Sequence, residues 1–352
     1  VKVYLTCNTL PLNSEVDQLA DYLRNAQAAG VDAVIVADIG VLMEAKRVIP
    51  DMDIHISTQT GIVNYLTATE LYHLGAKRVV LARELPLDDI RRIRDKTPPE
   101  LEIEAFVHGA MCMSFSGRCL LSNYMIGRDA NRGECAQPCR WGYHLMEEKR
   151  PGQYFPIYED EKGSYILNAK DLCMIEHLDK VIDAGVTSLK IEGRAKSFYY
   201  VAVVTNAYRQ AVDLYKKDPH NFQLPAWIEE ETRKVSHRQY STGFYFGRPE
   251  QGQYYENGGY VRQWDVVAVV DKTENDVLYC TQRNKFSVGE TVEILCPHST
   301  AENRPFSYPV TSIHDEEGNA VESANHAMMK LTMPANGLIL PAGSIIRRAA
   351  EE

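Results

Sequence analysis

Four of the chain's eight cysteines, Cys112, Cys119, Cys135 and Cys139, fall within 28 residues, with six, fifteen and three residues between them. Thiols so concentrated can pair as disulfides, bind zinc, bind an iron–sulfur cluster or form a catalytic pair, or their clustering has no chemical meaning. Structural zinc sites usually draw on two close cysteine pairs, and only Cys135 and Cys139 are spaced that way. Iron–sulfur clusters accept less regular spacing. Arg118, Arg128, Arg132 and Arg140 lie in the same stretch and would offset the negative charge of a four-thiolate cluster. Spacing therefore favours a [4Fe–4S] cluster, then zinc, then unliganded thiols. Cys7, Cys173, Cys280 and Cys296 stand alone in apolar or strand contexts, where cysteine acts as a small hydrophobe.

The composition is that of a globular protein, with 45% hydrophobic and 24% charged residues. No apolar run reaches the roughly 18–20 residues of a membrane span. The opening "VKVYLTCNTLPLN" reads as a strand and not as a signal peptide. A cytoplasmic protein is expected, and disulfides are rare there, which again points the clustered thiols toward metal or redox chemistry. A net charge of −10 argues against a general polyanion binder but allows a local basic patch.

The elements that must position these thiols alternate. Val- and Ile-rich runs such as "VDAVIVAD" and "AKRVVLARE" are spaced by helical patterns over 16–29, 41–48, 64–74 and 87–96. The phrases "AAGVDAVIV", "HLGAKRVVL" and "DAGVTSLKI" each close a helix on glycine and enter a strand. This regularity predicts βαβ units in a (β/α) TIM-like barrel over 1–218, carrying the cysteine-rich loop 112–141. Strand ends of such a barrel share one mouth. Asn8, Asp38, Gln59, Glu84, His108, Asn168, Lys170, Glu192 and Arg194 fall at successive strand ends, with Gln59, Lys170 and Arg194 the leading candidates. A helix over 197–217 is expected to close the barrel. A helical, turn-rich connector over 219–258, with a helix over 226–237, precedes short alternating strands that predict a small antiparallel β-barrel over 259–352.

The stretch "EAFVHGAMCMSFSGRCLLS" resembles the signature of the collagenase-like peptidase U32 family. "YILNAKDL" and "LKIEGRAKSFYYVAVVTNAYRQAVD" extend the likeness along nearly the whole chain. Within that family "GRDANRGECAQPCRW", "SHRQYSTGF" and "NKFSVGE" are similar to a tRNA-hydroxylating group. The resemblance implies O₂-independent hydroxylation of the tRNA wobble uridine to 5-hydroxyuridine, with prephenate as the oxygen-donating co-substrate. It also implies a [4Fe–4S] cluster on Cys112, Cys119, Cys135 and Cys139, acting in electron transfer or holding the loop, and a redox partner that the sequence does not name. Such proteins begin with an "LLAPAG"-like strand and a further β/α unit not seen here. The expected fold is therefore a TIM-like barrel lacking its usual N-terminal strands, with an exposed sheet edge.

Prephenate is a small dicarboxylate, and arginine matches carboxylates bidentately. Arg194 in "IEGR" and Lys170 in "NAKD" are the first candidates to hold it, and Arg83 is the next. His108 is read as a proton donor or as a support for another group. A peptidase is the competing reading, although the chain has neither G-x-S-x-G nor H-E-x-x-H. Hydroxylation of ribosomal RNA or of a quinone precursor is a third. A purely RNA-binding module is a fourth, and it leaves the mouth residues idle.

Overall fold

The Val- and Ile-rich runs fold as parallel strands, each returned by a helix whose apolar stripe covers one sheet face. In chain order these are β1 (Tyr4–Cys7), α1 (Asn13–Val16), α2 (Leu19–Ala28), β2 (Ala33–Val36), α3 (Ile39–Val48), β3 (Asp53–Ile56), α4 (Tyr65–His73), β4 (Arg78–Val80), α5 (Leu87–Lys96) and β5 (Glu102–Ala110). After β5 come α6 (Leu121–Ile126), a small ladder of β6 (His144–Leu145) with β7 (Phe155–Pro156), β8 (Asp171–Cys173), α7 (Leu178–Asp183) and β9 (Ser188–Ile191). The computed structural model describes residues 1–112, 114, 119–141, 144–145, 152, 155–156, 170–247, 261–297 and 304–350. They fall into two units, Val1–Glu192 with Gln239–Gly259, and Gly193–Arg238 with Tyr260–Glu352.

In the first unit β1, β2, β3, β4, β5 and β9 form one parallel run. The end of β5 then pairs antiparallel with β8, which pairs in parallel with β10 (Tyr240–Ser241). Leu23, Leu42, Leu71, Ile90 and Ile93 from the helices are buried, as are Ile54, Val79, Ile103 and Val107 of the strands. The expected TIM-like barrel, read as lacking its usual N-terminal strands and carrying an exposed edge, is not confirmed; the sheet is mixed, parallel except where β5 meets β8. Closure of a TIM barrel takes eight strands with the last laddered to the first. Here six parallel strands run together, and among the described residues no ladder joins β9 to β1.

The second unit holds α8 (Phe198–Lys217), α9 (Ala226–Arg233) and antiparallel strands. The strands are β11 (Trp264–Glu274), β12 (Val277–Gln282), β13 (Phe286–Ser287), β14 (Thr291–Leu295), β15 (Phe306–Pro309), β16 (Ile313–His314), β17 (Ala320–Val321), β18 (Ser323–Ala324), β19 (Lys330–Pro334) and β20 (Ile345–Ala349). Eight of them follow the order β15-β14-β20-β11-β12-β19-β16-β17, and β13 pairs with β18. The antiparallel expectation holds, but no ladder joins β15 to β17 among the described residues, so this sheet too is open. Register shifts at Val266/Ala268 and Val270/Lys272 bend β11, as bulges do. Val267, Leu278, Cys280, Phe286, Ile294 and Ile346 lie in its core.

Two boundaries differ from the sequence reading. The expected connector over 219–258 divides, since α9 belongs to the second unit and β10 to the first. Likewise α8, expected to close the barrel, belongs to the second unit.

A buried ion network joins the helices of that unit to its sheet. Arg347 on β20, fully buried, donates to both carboxylate oxygens of Glu231 on α9 at 2.6 Å and to Glu293 on β14 at 2.8 Å. Lys234 meets Glu293 at 2.9 Å, and the Tyr199 hydroxyl donates to the Lys234 carbonyl at 2.9 Å. Burial opposes the Arg347 charge, but Tyr199, Glu231 and Glu293 outweigh it and raise its pKa. Burial pushes the Tyr199 phenol up to about 12, although Arg347 works against that.

Candidate active site

Strand β5 carries the chemistry because its two faces differ. Ile103, Ala105 and Val107 are buried on one face, while Glu102, Glu104, Phe106 and His108 alternate onto the other. The cross-strand partners on the second face are also polar. Arg78 pairs in register with Glu102 and His55, Ser188 with Glu104, and Lys190 with Phe106. A TIM-barrel interior is normally packed with branched apolar side chains. This sheet face is built of charges instead.

Those charges are tightly satisfied. Arg78 donates to Glu102 at 2.7 Å and to Glu104 at 3.0 Å. Glu104 also accepts from Ser188 at 2.7 Å and from Lys190 at 3.0 Å. Burial alone would push the Glu104 carboxyl up, but Lys190, Ser188 and Arg78 together hold it below the ordinary carboxylate value. His55 is buried edge-on to the Tyr4 ring, with centroids 4.7 Å apart. Burial, aided by the Arg78 charge, lowers its pKa from 6.5 to about 4.

A pH dependence follows. The folded imidazole resists protonation down to about 4, whereas the unfolded chain takes the proton near 6.5. Stability should be full above that unfolded value and should fall as the pH drops toward about 4, by on the order of 2 kcal/mol. Glu104, also depressed, adds a further loss below the ordinary carboxylate range. His55→Phe keeps an aromatic ring against Tyr4 and should flatten the upper part of this decline in chemical denaturation. Parallel declines in wild type and variant would refute the assignment.

Beyond this layer, toward the strand ends, β5 changes partners. Its register with β9 shifts between Phe106 and His108, a bulge of the kind that re-aims side chains beside functional sites. Gly109 follows with φ +115°, and a Cβ there would stand 2.5 Å from the Glu192 carbonyl oxygen. Only glycine permits that approach, which the Glu192 N–H donating to the His108 carbonyl at 2.9 Å completes.

The bulge sets up a compact group. His108, 1% exposed, lies with its Nε2 3.3 Å from the Tyr240 hydroxyl and its ring centroid 5.2 Å from that of Tyr240. Phe106 has cations against it: the Arg83 guanidinium carbon lies 3.8 Å from the ring centre and Lys190 Nζ 5.5 Å. Arg83 also donates to the Ala110 carbonyl at 2.8 Å, which fixes its planar head at the point where the cysteine loop leaves β5. The Tyr245 hydroxyl donates to the Phe106 carbonyl at 2.5 Å, and burial raises its pKa. Tyr240 and Tyr245 were hidden in "RQYSTGFYFG", whose turn residues read as connector.

The cysteine loop is tied to the neighbouring strand ends. Gln59 Nε2 donates to the Asn131 carbonyl at 3.1 Å, and Asn131 Nδ2 donates to the Cys119 carbonyl at 3.3 Å. Gln59 itself sits in a turn stitched to both neighbours, since Thr58 donates to Leu81 O and Thr60 to Ala37 O. Arg132 donates to the Leu10 carbonyl and pairs with Glu15, so it braces the loop. Of the four loop cysteines, Cys112 and Cys135 are exposed and Cys119 and Cys139 half-buried. Among the described residues no group of three or more His, Cys, Asp and Glu side chains stands ready to hold a metal ion. The donor chemistry nevertheless suits iron, since thiolates are the usual ligands of iron–sulfur clusters.

Of the predicted residues, Gln59, His108 and Lys170 lie in the first unit, with Lys170 directly before β8 on the side where the loop returns. Arg194 is exposed and belongs to the second unit, between β9 and α8. Asp38 serves as a helix cap, accepting from Val41 N at 3.0 Å, and Asn8 donates to Ser57 at 3.2 Å. Arg118 and Asn168 lie outside the described residues, as does the side chain of Arg140. Among the described residues no helix is long and apolar enough to cross a membrane.

Comparison with known proteins fits this arrangement into a group. The chain is 37% identical over 344 residues to tRNA hydroxylation protein P1 of Bacillus subtilis, covering 97% of this chain and 80% of that protein. It is 36% identical over 339 residues to tRNA hydroxylation protein P of Escherichia coli, covering 84% and 74%. An uncharacterized protease of Methanocaldococcus jannaschii is 43% identical over 248 residues, covering 70% and 59%. The profile of peptidase family U32 matches residues 1–254, and that of the peptidase family U32 C-terminal domain matches residues 262–347. By profile and by relatives alike, the chain belongs to peptidase family U32.

Proposed function

We propose that this protein hydroxylates tRNA, converting the wobble uridine to 5-hydroxyuridine. The observation that carries the reading is likeness over 97% of the chain to a protein named for tRNA hydroxylation. The group around His108 supports it. Replacing the C5 hydrogen of uracil by hydroxyl is a two-electron oxidation, so an oxygen donor and an electron acceptor must come from outside the chain. In our reading the oxygen donor is prephenate, and the two electrons leave to a separate redox partner that acts as the acceptor. The carboxylates of prephenate would meet Arg83, whose planar head presents paired N–H donors, with Lys190 and Lys170 as further cations. His108, hydrogen-bonded to Tyr240, would carry the proton exchanged at the reacting carbon. Phe106, buried between these groups, keeps water from the layer below.

Cys112, Cys119, Cys135 and Cys139 are the residues that would hold a [4Fe–4S] cluster, which when bound supplies one-electron chemistry. Protein purified without air should then contain iron and sulfide in near-equal amounts. Alanine at any one of the four should abolish both. Cys280→Ala should not, because that thiol lies in the second unit's core, its pKa pushed up to about 12 by burial. Zinc as the sole metal would sink the cluster. The activity itself is tested by nucleoside mass spectrometry of tRNA from cells with and without the protein.

A further inference from the structure

Three side chains of the second unit meet at its surface in a way that core packing does not require. Phe198 opens α8 with 57% of its surface exposed, and Met328, just before β19, is 55% exposed. Arg283, from the turn after β12, lies between them. Its guanidinium carbon is 5.7 Å from the centre of the Phe198 ring, and its Nη1 touches the Met328 sulfur. Met328 holds φ at +63°, a left-handed conformation that methionine adopts at a cost. Its side chain nonetheless stands largely exposed. Asn284 and Lys285 are exposed beside Arg283, and Glu290 of the same segment is bound to Arg348.

An aromatic face, a guanidinium plane and a polarisable sulfur are what an unpaired nucleobase stacks on. Arg283 and Lys285 add positive charge within a chain of net charge −10, complementary to phosphate. We propose that this ledge is an RNA contact of the second unit. An unpaired base of the RNA stacks on Phe198 and Arg283, and Lys285 meets the adjoining phosphates. The inference rests on the reading that tRNA is the substrate.

Fluorescence anisotropy of the full chain with an unmodified tRNA transcript tests it. Phe198→Ala should weaken binding about tenfold, within the range for loss of one stacked base. Phe198→Leu, which keeps apolar area but no aromatic face, should weaken it equally, and Phe198→Trp should bind as wild type. Arg283→Ala should lower the slope of log affinity against log salt by about 1. Unchanged thermal midpoints establish that each variant is folded. If wild type binds no tRNA, the substrate reading fails and the ledge with it. If wild type binds while Phe198→Ala and Arg283→Ala match its affinity and salt slope, the ledge alone is overturned. Full binding by Phe198→Leu beside a weak Phe198→Ala would show an apolar contact of the kind a protein partner makes, and would also overturn base stacking.

Discussion

His108→Asn should slow the accumulation of 5-hydroxyuridine by a factor of roughly 10² to 10⁴, the span that loss of a general acid or base commonly removes. The residue is buried at the bulge where β5 passes from β9 to β8, so its ring has one fixed orientation. Asparagine retains a polar side chain of smaller size and cannot exchange a proton near neutral pH. Tyr240→Phe keeps the ring against His108 and removes only the hydroxyl at 3.3 Å. It should slow the reaction by about tenfold, as loss of one neutral hydrogen bond implies. Time courses after induction, in cells lacking their own enzyme, separate a slowed reaction from a lower final level. A His108→Asn protein that works at the wild-type rate would remove His108 from the chemistry.

Arg347→Ala should destabilise the second unit by about 3–5 kcal/mol, because it leaves the buried Glu231 and the partly buried Glu293 without their shared cation. Among the described residues Glu231 and Glu293 would then be opposed by Lys234, which meets each at 2.9 Å. Arg347→Lys retains the charge, but one ammonium cannot reproduce a fork that reaches Glu231 through Nη2 and Glu293 through Nε. It should therefore recover only part of the loss. Chemical denaturation measures the total. Amide exchange along β14 and β20, where Glu293 and Arg347 are register partners, locates it. A loss below about 1 kcal/mol would mean the carboxylates find other partners or take up protons.

Much of the strand and helix order was legible because its signals are local. Glycines that end helices, and Val/Ile runs that follow them, marked β2, β4 and β9, and the helix over 87–96 was found as read. The helix expected over 226–237 instead ends at Arg233, where Lys234 turns to the carboxylates of the sheet. Whether the strands close into a barrel depends on pairings between residues far apart in sequence, and no local pattern encodes that. The polar sheet face did leave a trace. In "LEIEAF" glutamate alternates with apolar residues, the period of a strand with one polar face. Arg78 and Lys190 became meaningful only once register brought them beside Glu104. Tyr240 was out of reach, because β10 is a two-residue strand defined by its partner β8 and not by its own propensity. The cysteines and His108 stood out by residue type. The three-residue alignment of Arg83, Phe106 and Lys190 had to be seen in space.

We propose that this chain makes 5-hydroxyuridine in tRNA. The most direct test of that proposal is nucleoside mass spectrometry of tRNA from a strain lacking its own wobble hydroxylase and carrying this protein, wild type or His108→Asn, with and without the capacity to make prephenate. We expect 5-hydroxyuridine with wild type only, and only where prephenate is made. Equal restoration without prephenate would contradict the co-substrate. No 5-hydroxyuridine in either background, from a protein present at normal level and loaded with iron, would contradict the hydroxylase itself.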